Sequence, residues 1–345
     1  MKIIRHSILF VFAIILLSCK TAEINNFENV EILTKIKPKR LKKGDTIGLV
    51  SSASAIKDNH LAEATENLTK LGFKVKYNET IKEKYGYLAG SDSARAEDLN
   101  LMFADDEVDA IFEIRGGYGC ARMLPKIDYD LIKKNPKIVL GYSDITSLLY
   151  AIYKKTNLVC FHGPVGTSTY NEYSLKHFNN ILENPKENYE MKNLPDEEDQ
   201  IIVFNEGIGE GELVGGNLSI VVSMIGTEYD IDTKGKIIFL EDIGEEPYRI
   251  DRMLTQMKQA GKFKDCVGVA LGVFRNCDVN EDDPEFENSL TLVQVFKDIL
   301  GELNVPVIYG LSFGHIENKF TLPFGIKSRL NTYTKSLTLL ENAVE

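Results

Sequence analysis

The chain has 345 residues, of which 43% are hydrophobic and 26% charged. That is too long for one typical domain and apolar enough for two ordinary cores. A formal net charge of −11 argues against nucleic acid or an anionic surface as a partner held by charge. The sequence has no HExxH or CxxC, and its five cysteines lack metal-ligand spacing, so neither a metal nor a cofactor is expected.

At the N-terminus, Lys2 and Arg5 precede the unbroken apolar run Ile8 to Leu17. The run is too short to span a bilayer and has the form of a secretory signal. Leu16-Leu17-Ser18-Cys19 resembles the lipobox of bacterial lipoproteins, which implies that residues 1–19 form a lipoprotein signal with Cys19 as lipid anchor. The expected location is the cell envelope, with the domains extracytoplasmic and membrane contact made through the anchor only. Cleavage before Cys19 would remove the two cations Lys2 and Arg5 and take the formal charge from −11 to −13. Residues 20–43 are polar and read as a tether, with order expected from Gly44.

From there, strands and helices alternate. Thr46 to Val50 predicts a strand, Asn59 to Leu71 a helix, and Lys74 to Tyr77 a strand. A helix follows from Ser93, and Val108 to Ile114 gives the next strand. Ile138 to Gly141 and Leu158 to Phe161 supply further strands around a helix that begins near Asp144. The pattern predicts an α/β domain with a parallel sheet over 44–165, with its site at the carboxyl ends of the strands. Residues 166–205, with Pro185, Pro195 and the acidic run Asp196 to Asp199, read as a linker. Residues 206–345 predict an α+β domain with a mixed sheet, carrying strands at Lys236 to Glu241, Val267 to Phe274 and Val305 to Gly310, and helices at Tyr248 to Ala260 and Ser289 to Leu303. Short strand-like pieces follow around Ser336 to Leu340.

Ser143 lies between the strand ending at Gly141 and the helix after Asp144, which makes a strand-turn-helix serine. A hydroxyl there projects above the sheet beside unsatisfied N–H groups and suits acyl transfer, although from these residues alone an N-cap is the better explanation. Arg115-Gly-Gly-Tyr-Gly119 also follows a strand. Its glycines let backbone amides approach an oxyanion or carboxylate, or simply make a tight turn. A serine nucleophile needs a base. His315, after a strand and in a glycine-rich loop, is the first candidate, and His162 the second. Among several carboxylates, Glu241 closes a buried strand, with Asp242 on its opposite face. The remaining cysteines, Cys120, Cys160, Cys266 and Cys277, read as core residues.

Four motifs in this order, RGGYG at 115–119, GYSDIT at 141–146, LEDIGEEPYRIDRML at 240–254 and GHIENKFTLPFG around His315, resemble the LD-carboxypeptidase family of serine peptidases. The resemblance spans about residues 43–335. It implies a nucleophile in the N-terminal domain, with glutamate and histidine in the C-terminal one. By motif match Ser143 is the nucleophile, Glu241 orients the imidazole and His315 is the base. The N–H groups of Gly117 and Asp144 form the oxyanion hole, and Arg115 is the candidate cation for a terminal carboxylate. The implied substrate is a murein tetrapeptide losing its terminal D-alanine. A sister group of the family inactivates microcin C type peptide-nucleotides, so an aminoacyl-nucleotide amidase is an alternative, as is a non-catalytic lipid-anchored peptide binder. The well-known recycling members are cytosolic, whereas this chain reads as exported. No nucleic acid partner is expected, and a homodimer is possible.

Overall fold

The computed structural model describes residues 34–279 and 288–345. The expected signal, the Cys19 anchor and residues 20–33 of the tether lie outside the described residues. Residues 34–345 form one compact unit built on two sheets.

The first sheet gathers β1 (Thr46–Val50), β2 (Lys74–Lys76), β3 (Ala110–Glu113), β4 (Ile138–Gly141) and β5 (Phe161–His162). All five pair in parallel, in the order β5-β4-β3-β1-β2. Helices α1 (His60–Lys70), α2 (Asp92–Ala104), α3 (Cys120–Met123), α4 (Tyr129–Lys134) and α5 (Ile145–Thr156) make the connections. Parallel strands covered on both faces are largely apolar, and the residues of β3 and β4 are buried, Glu113 being the one charged side chain among them. The apolar piece Leu158 to Cys160 was expected to be strand. Its backbone instead bonds residues far back in the chain, with Val159 N donating to Ile36 O at 2.9 Å and Leu158 bridging Ile36. The ladder with β4 therefore begins only at Phe161.

This partnership corrects the expected start of order at Gly44. Residues 34–43 are part of the fold: Leu41 is buried, Arg40 N donates to Glu345 O, and Glu345 N donates to Pro38 O. The segment 166–205 is likewise more than a linker. It holds α6 (Glu172–Phe178), a turn of π-helix over Asn179–Glu183, and β6 (Tyr189–Met191), which pairs with the chain's last strand. Its prolines and acids drew attention to a loop, but Phe178, Ile181, Leu182 and Met191 between them are core residues.

The second sheet adds β7 (Ile202–Asn205), β8 (Ile208–Asn217), β9 (Lys236–Glu241), β10 (Gly268–Val273), β11 (Val307–Gly314), β13 (Lys327–Asn331) and β14 (Ser336–Leu339). Its order is β6-β14-β13-β8-β9-β10-β11-β7, parallel from β8 to β11 and antiparallel at both ends, the mixed sheet expected. Helices α7 (Leu218–Met224), α8 (Pro247–Gln259) and α9 (Leu292–Leu300) flank it. The last of these starts later than Ser289 because Thr291 and Gln294 form a capping box.

The short strand β12 (Leu322–Pro323) leaves the second lobe and pairs antiparallel with β5 of the first sheet. Phe324, which follows it, is fully buried. Its ring meets Tyr150 and Tyr153 of α5 and Phe239 of β9, with centroids 5.8, 6.2 and 5.5 Å apart. The lobes thus share a core. Phe324→Ala is expected to cost about 3–5 kcal/mol in urea unfolding, in one cooperative transition followed by both fluorescence and circular dichroism.

Candidate functional site

At the carboxyl end of β4 the backbone turns sharply into α5. Ser143 is held at φ 65°, left-handed for a residue with a Cβ. Asp144 is the N-cap and makes no side-chain cap bond, so the capping explanation of Ser143 fails. Ser143 lines a cavity of about 430 Å³ together with Lys57, His60, Arg115, Gly116, Gly117, Tyr142, Val165, Thr167 and His315.

The glycine loop after β3 lies directly against the serine. A Cβ added to Gly116 would come within 3.2 Å of Ser143 Oγ. Gly117 has φ 130°, and a Cβ there would fall 2.3 Å from Ser54 Oγ, so only glycine fits. Three contacts fix the loop. Tyr118 N donates to Ser54 Oγ at 3.0 Å, Cys120 N donates to Asp144 Oδ2 at 2.8 Å, and Arg95 Nη1 donates to Gly119 O at 2.9 Å. The same Arg95 nitrogen also donates to Ser52 O. Arg95 and Asp144 are only 3% and 2% exposed. Asp144 therefore ties the loop, through its carboxylate, to the turn that carries its own backbone N–H. Burial raises the Asp144 carboxyl above its usual range, with bonds from Cys120 opposing. Beneath them Glu113 accepts from Ser52 N at 3.0 Å and lies 2.5 Å from Ser52 Oγ, and burial pushes its carboxyl up to about 8.

The second lobe supplies the other half. Glu241 ends β9 with no exposed surface, and His315 follows β11. His315 Nδ1 lies 2.7 Å from Glu241 Oε2. Gly314, at φ 114°, leaves no room for a side chain, since a Cβ would sit 2.9 Å from that same oxygen. Burial alone would raise the Glu241 carboxyl, but the bond from His315 and the nearby imidazoles outweigh it and hold it low. With Nδ1 engaged, Nε2 is the nitrogen left to act toward the cavity. Asp242 turns away, as alternation requires, accepting from Ser219 N and Asn217 Nδ2, both at 2.9 Å.

His162 is buried, does not line the cavity, and has no partner for either ring nitrogen among the described residues. Burial pulls it down to about 4, so it is neutral. Its ring packs 6.0 Å from Tyr142 and 5.5 Å from Phe239. Of the two candidate bases, the geometry brings His315 to the serine's cavity. The four inner cysteines are buried and unpaired.

Arg115 lines the cavity and spends its guanidinium on main-chain oxygens, Nε to Gly116 O at 3.0 Å and Nη1 to Ala55 O at 3.4 Å. Sequence reasoning missed Lys57 and His60, which leave β1's carboxyl end and join Arg115 in the wall. His60 sits below its usual range, through burial and the neighbouring Arg115 and Lys57 charges. Their place after the first strand was the available signal. Among the described residues no carboxylate side chain lines the cavity, so its charge favours an anionic ligand. Beside it stand a hydroxyl, an imidazole oriented by a carboxylate, and the glycine loop at Gly116 and Gly117, a set suited to acyl transfer.

Two stretches of the chain match family domains: 47–163 the LD-carboxypeptidase N-terminal domain and 210–330 the C-terminal domain. A probable murein peptide carboxypeptidase of Bacillus subtilis is 40% identical over 308 residues, covering 88% of this chain and 94% of its own. Among solved structures, a microcin C7 self-immunity protein in complex with glutamyl sulfamoyl guanosine superposes with TM-score 0.81 at 26% identity, covering 90% of this chain and 99% of its own. A muramoyltetrapeptide carboxypeptidase from Oxalobacter formigenes gives 0.74 at 27%, covering 85% and 97%.

The left-handed turn predicts a stability difference. Ser143→Gly should be more stable than Ser143→Ala by about 1–2 kcal/mol, because only glycine adopts this φ without cost. Chemical denaturation of the two variants reads it directly.

Proposed function

The chain belongs to the LD-carboxypeptidase family and is a serine-type carboxypeptidase; on that premise we propose that it removes the terminal D-alanine from murein tetrapeptides through a Ser143-Glu241-His315 triad. The observation that carries the proposal is the His315–Glu241 pair opening on the cavity that Ser143 and the glycine loop share. Family membership sets aside the pure binding protein.

In the proposed reaction His315 Nε2 takes the Ser143 proton as Oγ attacks the carbonyl of the L-configured residue. The oxyanion meets the N–H groups of Gly117 and Asp144. Collapse breaks the bond to D-alanine, whose nitrogen takes the proton from His315, and an acyl-serine remains. Water, deprotonated by His315, attacks the ester, and the serine leaves with the proton. A carboxypeptidase also holds a free carboxylate, and Arg115, supported by Lys57 and His60, is the proposed cationic wall for it. We further propose that Cys19 anchors the enzyme in the cell envelope, where it meets wall peptides directly.

The test is release of D-alanine from a murein tetrapeptide by the protein and by its Ser143→Ala variant. Release by the parent is expected, with a fall of about 10⁴-fold or more in the variant. No release by a folded parent contradicts the murein assignment, and aminoacyl sulfamoyl nucleosides, the ligand class of the microcin-type neighbour, become the next substrates. Arg115→Ala is expected to raise KM about tenfold or more with a smaller change in kcat, as loss of a charge-assisted bond to the carboxylate requires.

A further inference from the structure

The proposed reaction takes its oxyanion donors from two places, Gly117 N–H in the loop after β3 and Asp144 N–H in the turn after β4. Donors of this kind act only when held within about 2.7–3.1 Å of the developing charge. That demand falls on a backbone poorly suited to it. Gly116, Gly117 and Gly119 make the loop permissive, and glycine loses more freedom on ordering than any other residue. Groups outside the loop must therefore set its course.

The peptide group between Gly119 and Cys120 carries that restraint. Its carbonyl, Gly119 O, accepts from Arg95 Nη1 at 2.9 Å, and its N–H, on Cys120, donates to Asp144 Oδ2 at 2.8 Å. One peptide plane is gripped at both poles, by a guanidinium and by a carboxyl. The C=O and N–H of a trans peptide point in opposite directions, so the two bonds together fix both its position and its rotation. Both bonds are buried, where an unmade bond would leave polar groups without water.

The two grips are themselves anchored. The Arg95 side chain, 1% exposed, comes from α2, and its Nη2 lies 2.5 Å from Asp92 Oδ1. Its Nη1 also reaches Ser52 O, just past β1. Asp92 in turn accepts from Arg122 Nε at 3.0 Å and Nη2 at 3.1 Å, and Arg122 belongs to α3, the helix into which the loop runs. Asp144 directly follows the proposed nucleophile. Capping of α3 would explain the Asp144 bond alone. It does not explain a buried arginine on the carbonyl of the same peptide.

We propose that Arg95 and Asp144 clamp the Gly119–Cys120 peptide so that the loop presents Gly117 N–H to the oxyanion, which makes both side chains positioning residues for the serine chemistry. Through its carboxyl Asp144 also ties one proposed donor to the other, since its own N–H is the second. The inference rests on the acyl-transfer reading above.

The experiment is kcat and KM for D-alanine release by the parent, Asp144→Ala, Asp144→Asn and Arg95→Lys, each beside its urea unfolding curve. Asp144→Ala should lower kcat about 100-fold with KM within about threefold of the parent, as misplacement of a transition-state donor requires. Asp144→Asn keeps an oxygen for Cys120 N and should regain at least about tenfold of that loss. Arg95→Lys keeps the cation but lacks the fork that spans Gly119 O and Ser52 O, and should lower kcat about tenfold, again with KM kept. It decides the matter if Asp144→Ala does not fold. A purely structural role predicts lower stability with kcat of the folded protein unchanged, and that result overturns the proposal, as does an Asp144→Asn variant no better than Asp144→Ala.

Hydrogen exchange of the segment 115–123, read by mass spectrometry, needs no turnover. Faster exchange there in Arg95→Lys than in the parent supports the clamp, and unchanged exchange overturns it. Failure of the murein reading would appear instead as absence of D-alanine release by the parent.

Discussion

A carboxylate with no exposed surface, Glu241, bonded at 2.7 Å to His315, is the constraint to which the rest of the site answers. Such a charge survives burial only with a firm partner. The bond fixes which imidazole nitrogen faces inward and leaves the other for the cavity. It also demands Gly314 beside it, since a side chain there would strike the carboxylate. His162, buried and neutral, packs close by against Tyr142 and Phe239.

Neither lobe makes the site alone. The first supplies Ser143 and the glycine loop, locked together by Arg95 and Asp144. The second supplies the carboxylate and imidazole from the ends of two parallel strands, β9 and β11, that flank β10. What holds the halves in register is shared packing: β12 crosses to the first sheet, and Phe324 fills the space between α5 and β9. Ring contacts of this kind move little, so the cavity is largely preformed.

Strands whose apolar runs end at a small polar residue, at glycine or at acids were legible at their true bounds, as at Thr46–Val50, Ile138–Gly141 and Lys236–Glu241. Burial on both faces leaves a continuous apolar signal that survives without knowledge of partners. What failed depended on distant partners. Residues 34–43 look like a tether because their companions are Leu158 and Glu345. Residues 166–205 look like a linker because their core residues are spaced among charges and prolines. At the site, the order of motifs pointed to Ser143, Glu241 and His315. Local sequence could not separate a cap from an exposed serine, since the difference is a single backbone angle at Ser143. Nor could it separate His315 from His162. Both follow strands, and only the fold reveals that one meets a carboxylate 74 residues away while the other is sealed under Tyr142. Lys57 and His60 carried no motif, because their roles arise from what faces them.

The central claim is that Ser143 attacks as one member of a unit assembled from both lobes. Its most direct test is intact-mass analysis of the protein acid-quenched during turnover of a murein tetrapeptide, followed by peptide mapping. The account predicts a tripeptide acyl group, tetrapeptide less D-alanine, on the fragment containing Ser143, formed by the parent and absent from Ser143→Ala. D-alanine release that persists undiminished in Ser143→Ala, or an acyl group mapped to a different residue, would contradict it.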